Sequence, residues 1–360
     1  MMVCVAMSGG VDSSVAAALL VQAGHEVIGV HMKLHDAPSS SGAPQNRCCG
    51  LDDALDARAV AATLGVPFYV MDLREAFRKA VMDDLADTYL AGATPNPCVQ
   101  CNGVLKFQVL LQRARALGCT HLATGHYARV SPEGGLRMAA DKDKDQSYFL
   151  FPVRPAALAV SLFPLGDLTK AQVREHARLL GLRTAEKPES QEICFLPDDD
   201  HARFVAEHRP GVEGAGEIVD QAGRVLGQHD AYWRFTVGQR RGLGVAAGQP
   251  LYVLAIDPST HRVTVGPAER LLHHRVQARG FQWFRPPREG EAVHARIRHR
   301  GALVPCEIDP SAPLSEDGEA GRLSLRFLSP ARAATPGQAV VLYAGEDVLG
   351  GGWIRRVETI

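Results

Sequence analysis

Short apolar runs alternate with amphipathic stretches through the first half of the chain. Val3-Cys4-Val5-Ala6-Met7 has no polar interruption, the pattern of a strand buried on both faces of a parallel sheet. Residues 14–23 then read as a helix that stops at Gly24. The alternation continues with strands at 27–32, 66–71 and 121–124, and with helices at 52–64 and 104–117 that stop at Gly65 and Gly118. Thr169 and Gln172 have the spacing of a capping box, which opens a helix ending before Gly181. This order predicts an α/β domain, a doubly wound parallel sheet with helices on both faces. Ligands of such sheets gather at the carboxyl ends of the strands, here a rim of residues 8–13, Met32 and Gly125. The pattern changes near residue 208. Short strands at 216–219, 224–226, 251–256 and 262–265 predict a small β module. Beyond it, Arg322-Leu323-Ser324-Leu325-Arg326-Phe327 alternates cleanly, and 292–297, 303–308 and 339–343 have strand length. A closed β-barrel of about six strands is the expected arrangement. The predicted segments are 1–208, 209–268 and 269–360.

Composition narrows the class. The 360 residues are 46% hydrophobic and 22% charged, as in a soluble globular protein of two or three domains. A net charge of −1 excludes a wholly basic nucleic-acid binder, so any RNA contact needs a local patch. No basic region precedes the first apolar run, and Ser8-Gly9-Gly10 interrupts it, so neither a signal peptide nor a membrane span is expected there. That predicts a cytoplasmic, reducing setting for the eight cysteines, where clustered thiols suggest metal binding or catalysis.

Ser8-Gly9-Gly10-Val11-Asp12-Ser13 joins the first strand to the first helix. Adjacent glycines let the backbone approach a ligand closely, and the helix N-terminus favours an anion. Ser8 and Ser13 add hydroxyl donors. Asp12 is too acidic to meet phosphate directly and is assigned to a magnesium ion or to loop structure. The Gly-Lys-Ser/Thr ending of a Walker loop and the Rossmann glycine pattern are both absent.

Cys98 and Cys101 lie in Thr94-Pro95-Asn96-Pro97-Cys98-Val99-Gln100-Cys101-Asn102, whose two prolines predict a loop rather than a helix. A Cys-x-x-Cys pair there fits a redox pair, half of a metal site, or chance. Cys194 alone reads as a buried apolar thiol, and Cys4, Cys119 and Cys306 as core residues. Cys48 and Cys49 are adjacent, a poor arrangement for chelating one ion, and form at most a secondary site. Asp141-Lys142-Asp143-Lys144-Asp145 reads by composition as solvated surface. Arg296, Arg298, His299 and Arg300 fit either the exposed face of a strand or a phosphate-tracking surface. His126 and Tyr127 read as structural residues at a strand end.

The Ser-Gly-Gly-x-Asp-Ser string resembles the pyrophosphate (PP) loop of the ATP pyrophosphatases, which adenylate a carbonyl oxygen. With it stand His31-Met32-Lys33, Asn96-Pro97 with Cys101-Asn102, Lys106-Phe107, Ala123-Thr124-Gly125-His126-Tyr127, Lys144-Asp145-Gln146-Ser147-Tyr148, Ile193-Cys194-Phe195 and Thr236-Val237-Gly238-Gln239-Arg240. Together these residues resemble the tRNA-specific 2-thiouridylase family, which thiolates the wobble uridine, over essentially the whole chain. The resemblance implies that Ala6, Met7, Ser8, Gly9, Gly10, Val11, Asp12, Ser13, Met32 and Gly125 hold ATP, with Mg²⁺. It implies Cys101 as nucleophile and Cys194 as the cysteine that carries persulfide sulfur. Asn96, Pro97 and Cys98 would meet the target base, and Lys144, Asp145, Gln146, Arg298 and His299 would contact tRNA. Implied partners are tRNAs for Lys, Glu and Gln and a cysteine desulfurase or other persulfide carrier, acting with a monomer.

One position departs from the better-known family pattern. Three residues before the nucleophile the family commonly has Asp, and here stands Cys98. Three thiolates, Cys98, Cys101 and Cys194, would suit a [4Fe–4S] cluster with one open iron, an alternative to the persulfide. Two other classes compete: an amide-forming ligase on the same ATP domain, and a non-catalytic RNA-binding protein on a dead nucleotide fold. The cysteines and β modules argue against the first, and the intact loop against the second.

Overall fold

The computed structural model describes residues 1–36, 51–189, 193–196, 200–246, 248–309 and 321–359; Cys48 and Cys49 lie outside them. The chain forms two compact units. The first comprises 1–82, 98–199 and 346–349, the second 83–97, 200–345 and 350–360.

The strands of the first unit are β1 (Met2–Ala6), β2 (Glu26–Lys33), β3 (Phe68–Asp72), β4 (His121–Ala123), β5 (Ala128–Val130), β6 (Leu136–Met138) and β7 (Ser161–Leu162). Five of them form a parallel sheet in the order β3-β2-β1-β4-β7. The other two, β5 and β6, make an antiparallel hairpin that the sequence pattern did not announce. Because β2 lies on one side of β1 and β4 on the other, the strand order reverses at β1. That reversal opens a crevice at the carboxyl ends of β1 and β4.

One face of β1 presents Val3 and Val5, which join Val15 of α1 (Val11–Gln22), Val60 of α2 (Leu51–Thr63) and Val173 of the helix Lys170–Leu179 in one core. Cys4 points the other way, as strand alternation requires, and is fully buried. Cys119 and Cys306 are buried too, and burial pushes the thiols of Cys4 and Cys306 up to about 12. These three are core residues, as expected. The predicted capping box is complete: Thr169 Oγ1 accepts from the Gln172 N–H, and Gln172 Oε1 accepts from the Thr169 N–H.

Two expectations need correction. Helix α1 starts at Val11, three residues early, because Gly10 takes the N-cap position and leaves Asp12 and Ser13 in the first turn. The segment around Cys98 is helical: Pro97–Gln100 is one α-turn, followed by a π-helix over Cys101–Leu110 and an α-helix over Leu111–Ala116. Proline blocks a helix interior but suits its first position, where the missing N–H costs nothing, and Pro97 sits there. The helical pieces Arg74–Phe77, Arg78–Met82 and Asp83–Leu90 were also not anticipated.

The second unit carries a four-stranded sheet, β8 (Gly216–Val219), β9 (Val225–His229), β10 (Tyr252–Asp257) and β11 (Arg262–Gly266), in the order β10-β11-β8-β9. The helix His201–His208 precedes it. Six antiparallel strands follow: β12 (Leu272–Trp283), β13 (His294–Arg296), β14 (Val304–Ile308), β15 (Leu323–Arg332), β16 (Ala339–Ala344) and β17 (Asp347–Thr359). Their order is β12-β15-β14-β13-β16-β17, and β12 pairs with β17 to close the expected six-stranded barrel.

Candidate active site

The glycine loop lies at the carboxyl end of β1 and is held from three sides. Gly9 has φ +78°, and a Cβ there would lie 2.2 Å from the Asp53 carbonyl oxygen. Gly125, just past β4, comes so close that a Cβ would lie 2.7 Å from the Ser13 nitrogen. Ser13 Oγ accepts from the Ser8 N–H at 3.1 Å and donates to the Gly10 carbonyl at 3.2 Å. No side chain caps α1, so its first-turn N–H groups have no intrinsic side-chain acceptor. A tight backbone loop ending in an uncapped helix N-terminus is suited to an anion. Met32 is the penultimate residue of β2, on the same rim.

Lysines surround this loop. Lys187 Nζ donates to the Gly9 carbonyl at 3.1 Å, to Asp53 at 2.7 Å and to Asp56 at 2.6 Å. Burial works against its charge, but the two carboxylates win and raise its pKa. Lys170 Nζ grips both oxygens of Asp12 at 2.8 and 2.9 Å, and the Tyr127 hydroxyl donates to Asp12 at 2.8 Å. These contacts tie Asp12 into the loop. Buried His31 donates from Nδ1 to the Met7 carbonyl at 2.9 Å, and burial lowers its pKa despite that bond. Lys170, Lys187 and the Tyr127 hydroxyl were missed because nothing in the local pattern links them to residues more than a hundred positions earlier.

Cys98 is exposed and Cys101 half-buried, three residues apart at the start of the helical run. Cys194 is half-buried as well. Burial pushes the Cys101 thiol up, and the nearby Lys106 ammonium pulls against it. Lys106 Nζ lies 3.4 Å from His126 Nε2, and His126 Nδ1 lies 2.7 Å from Thr124 Oγ1. The ammonium can only donate, so Nε2 accepts and Nδ1 carries the proton. Burial first, then Lys106, push His126 well below its ordinary pKa, so the ring is neutral. Replacing Lys106 with Met should therefore move the alkylation profile of Cys101 to higher pH, because a positive charge that favours its thiolate is lost. The rate of Cys101 alkylation against pH, followed on its peptide by mass spectrometry, reads this directly; an unmoved profile would contradict it.

Among the described residues, no three His, Cys, Asp or Glu side chains gather as a metal-binding group.

The expected tRNA-contacting residues are placed unequally. Lys144 pairs with Glu189 at 2.8 Å. Asp145 is buried and accepts from the Ala139 and Ser147 N–H groups and from Ser147 Oγ. Gln146 Oε1 accepts from the Tyr127 N–H. The charge run is thus partly a folded turn rather than solvated surface throughout. In the second unit, Asn96 is half-buried and Pro97 buried. Exposed Arg298 and half-buried His299 sit in the bend after β13 rather than on its face, and Arg298 donates to the Ala333 carbonyl at 3.0 Å. The Arg296 guanidinium lies 5.1 Å from the Tyr343 ring centroid.

A parallel sheet with this loop at its switch point, followed by a small β module and a barrel, defines the ATP-pyrophosphatase class of α/β proteins. Residues 1–198 match the tRNA methyl transferase HUP domain, 202–267 the tRNA methyl transferase PRC-barrel domain, and 273–354 the aminomethyltransferase beta-barrel domain. A tRNA-specific 2-thiouridylase MnmA of Geotalea uraniireducens is 49% identical over 98% of this chain and 95% of its own. Those of Geobacter metallireducens and Rickettsia felis are 49% and 43% identical, over 99% and 98% of this chain and 97% and 96% of theirs. The chain belongs to the tRNA-specific 2-thiouridylase family.

Proposed function

We propose that the chain adenylates the C2 oxygen of the wobble uridine of tRNA with ATP and replaces that oxygen with sulfur carried on Cys194. It is a tRNA-uridine 2-sulfurtransferase, and the details that follow are the proposed route. The observation that supports it most is the uncapped loop at the switch point, gripped by Gly9 and Gly125.

Oxygen at C2 is a poor leaving group. Its attack on the α-phosphorus of ATP expels pyrophosphate and turns the oxygen into part of AMP, which leaves readily. The N–H groups at the start of α1 take up the charge growing on the departing pyrophosphate. Magnesium would be held at the phosphates of ATP with Asp12 beside it, and would offset the charge on the departing pyrophosphate. A cysteine desulfurase or similar carrier loads Cys194 as a persulfide. Its terminal sulfur attacks C2, forms the C–S bond and expels AMP. The Cys101 thiolate then attacks Cys194 Sγ, the S–S bond to the uridine sulfur breaks, and 2-thiouridine leaves behind a Cys101–Cys194 disulfide. An external dithiol reductant restores both thiols. Only a thiolate performs that step, so the raised Cys101 pKa must be overcome when substrate enters. The base leaves its anticodon stack to reach the site. Arg298, His299 and Lys144 contribute tRNA contacts; the substrates are tRNAs for Lys, Glu and Gln, and a monomer acts in the cytoplasm.

Cys98 distinguishes this route from cluster chemistry. In the persulfide route Cys98→Ser keeps 2-thiouridine formation within about threefold of the unaltered chain. Loss of all product, together with loss of iron from reconstituted protein, would contradict the route.

A further inference from the structure

The loop of residues 236–244 in the second unit carries two exposed arginines, Arg240 and Arg241. Its backbone is held by its own side chains and by the strand beside it. Gln239 Oε1 accepts from the Thr236 N–H at 3.0 Å, and Gln239 Nε2 donates to the Arg241 carbonyl at 2.9 Å. The Gly238 N–H donates to the Val253 carbonyl at 2.8 Å, and the Val253 N–H donates to the Gln239 carbonyl at 2.9 Å, which laces the loop to β10. Val237 and Leu243 are buried, and Val237 packs with Leu271 and Ala333. The two arginines therefore stand on ordered backbone between two buried anchors.

Their charges are not cancelled. Other arginines of this β module meet carboxylates: Arg224 meets Asp220 at 2.7 Å, Arg234 meets Asp230 at 2.7 Å and Arg262 meets Glu217 at 3.0 Å. Among the described residues, no carboxylate pairs with Arg240, Arg241 or Arg332. Arg332, exposed on β15, lies with its guanidinium 5.6 Å from the ring centroid of Tyr252, the neighbour of Val253 on β10. Arg298 adjoins the loop as well: a Cβ on Gly238 would lie 3.4 Å from its Nη2.

Uncancelled guanidinium groups on a pre-ordered backbone suit an anion, because little ordering remains to be done on binding. The guanidinium fork matches the oxygens of a phosphate. With a net charge of −1 the chain as a whole does not attract RNA, so its phosphate contacts must come from a local patch. We infer that Arg240 and Arg241 hold backbone phosphates of the tRNA, and that Arg298 and Arg332 extend the same surface. Such contacts place the RNA without reading its sequence. This role rests on the reading of tRNA as the substrate.

The test is titration of the full chain with unmodified tRNA between about 50 and 200 mM salt, with thermal unfolding of each variant. R240A/R241A should weaken binding by about tenfold and make the plot of log affinity against log salt shallower by about 1–2, as expected for the loss of two phosphate contacts. R240K/R241K, which keeps both charges, should retain most of the slope. If the alanine pair fails to fold, R240Q/R241Q reads the same change with side chains of similar length and polarity. Affinity lost with no change of slope would overturn the inference, because the loop would then act only through the fold. Unchanged affinity and slope would overturn it too. If tRNA binding holds while transfer of sulfur from a persulfide-loaded carrier to Cys194 slows, the surface serves an acidic protein and the inference fails. An unaltered chain that binds no tRNA would overturn the substrate reading itself, and this role with it.

Discussion

Cys194→Ala should abolish 2-thiouridine formation, lowering it by about a thousandfold or more, while tRNA-dependent ATP–pyrophosphate exchange stays within about fivefold. The two halves of the reaction use different parts of the chain. Adenylation needs the glycine loop, its lysines and the bound base. Sulfur transfer needs a thiol that can carry a second sulfur. Cys194 is a half-buried thiol in a short turn whose next residue, Phe195, packs edge-on against Phe77 with centroids 5.3 Å apart. That anchoring restrains the turn without enclosing the sulfur. Removing the sulfur should therefore stop the second half and leave the first. Simultaneous loss of exchange would mean that Cys194 supports the nucleotide site, and residual thiolation would mean that sulfur reaches C2 by another path.

Gly9→Ala should destabilise the chain by about 2–4 kcal/mol and remove ATP binding. Two costs add at this position. The backbone is at φ +78°, and the added Cβ would meet the Asp53 carbonyl oxygen at 2.2 Å and its Cα at 2.8 Å. The obstacle is backbone at the start of α2, so no side chain can turn away. Relief must come from moving the loop, and the loop is the proposed phosphate cradle. Gly24→Ala separates the two costs. Gly24 has nearly the same φ, +77°, but nothing within 4 Å of an added Cβ. It should lose only about 1–2 kcal/mol of stability and keep its ATP affinity. Thermal unfolding and ATP titration of both variants check this. Equal loss of ATP affinity in the two would show that the contact with Asp53 is not what shapes the loop.

Much of the architecture was readable because burial leaves a period in the sequence. Val3 to Met7 could be read as a central strand since both its faces are covered, and the clean alternation at 322–327 marked a barrel strand with one face inside. What failed was where one residue type serves opposite purposes. Pro97 was read as a helix breaker, yet it starts a helix. Asp145 was read within a charged surface run, yet it is buried, because three hydrogen-bond donors within eight residues satisfy its carboxylate. A π-helix at Cys101–Leu110 has no composition of its own to announce it. For the site, the loop glycines were legible from their own string. The lysine on Asp12 was not, because it lies 158 residues further along the chain and only the fold brings them together.

The most direct test of the account is 2-thiouridine formation in unmodified tRNA by chelator-treated, iron-free protein, given ATP, Mg²⁺, a persulfide-loaded carrier and a dithiol reductant without oxygen. The account predicts 2-thiouridine, with AMP and pyrophosphate released in equal amount. Product only after an iron–sulfur cluster has been rebuilt would contradict direct thiol chemistry at Cys101 and Cys194.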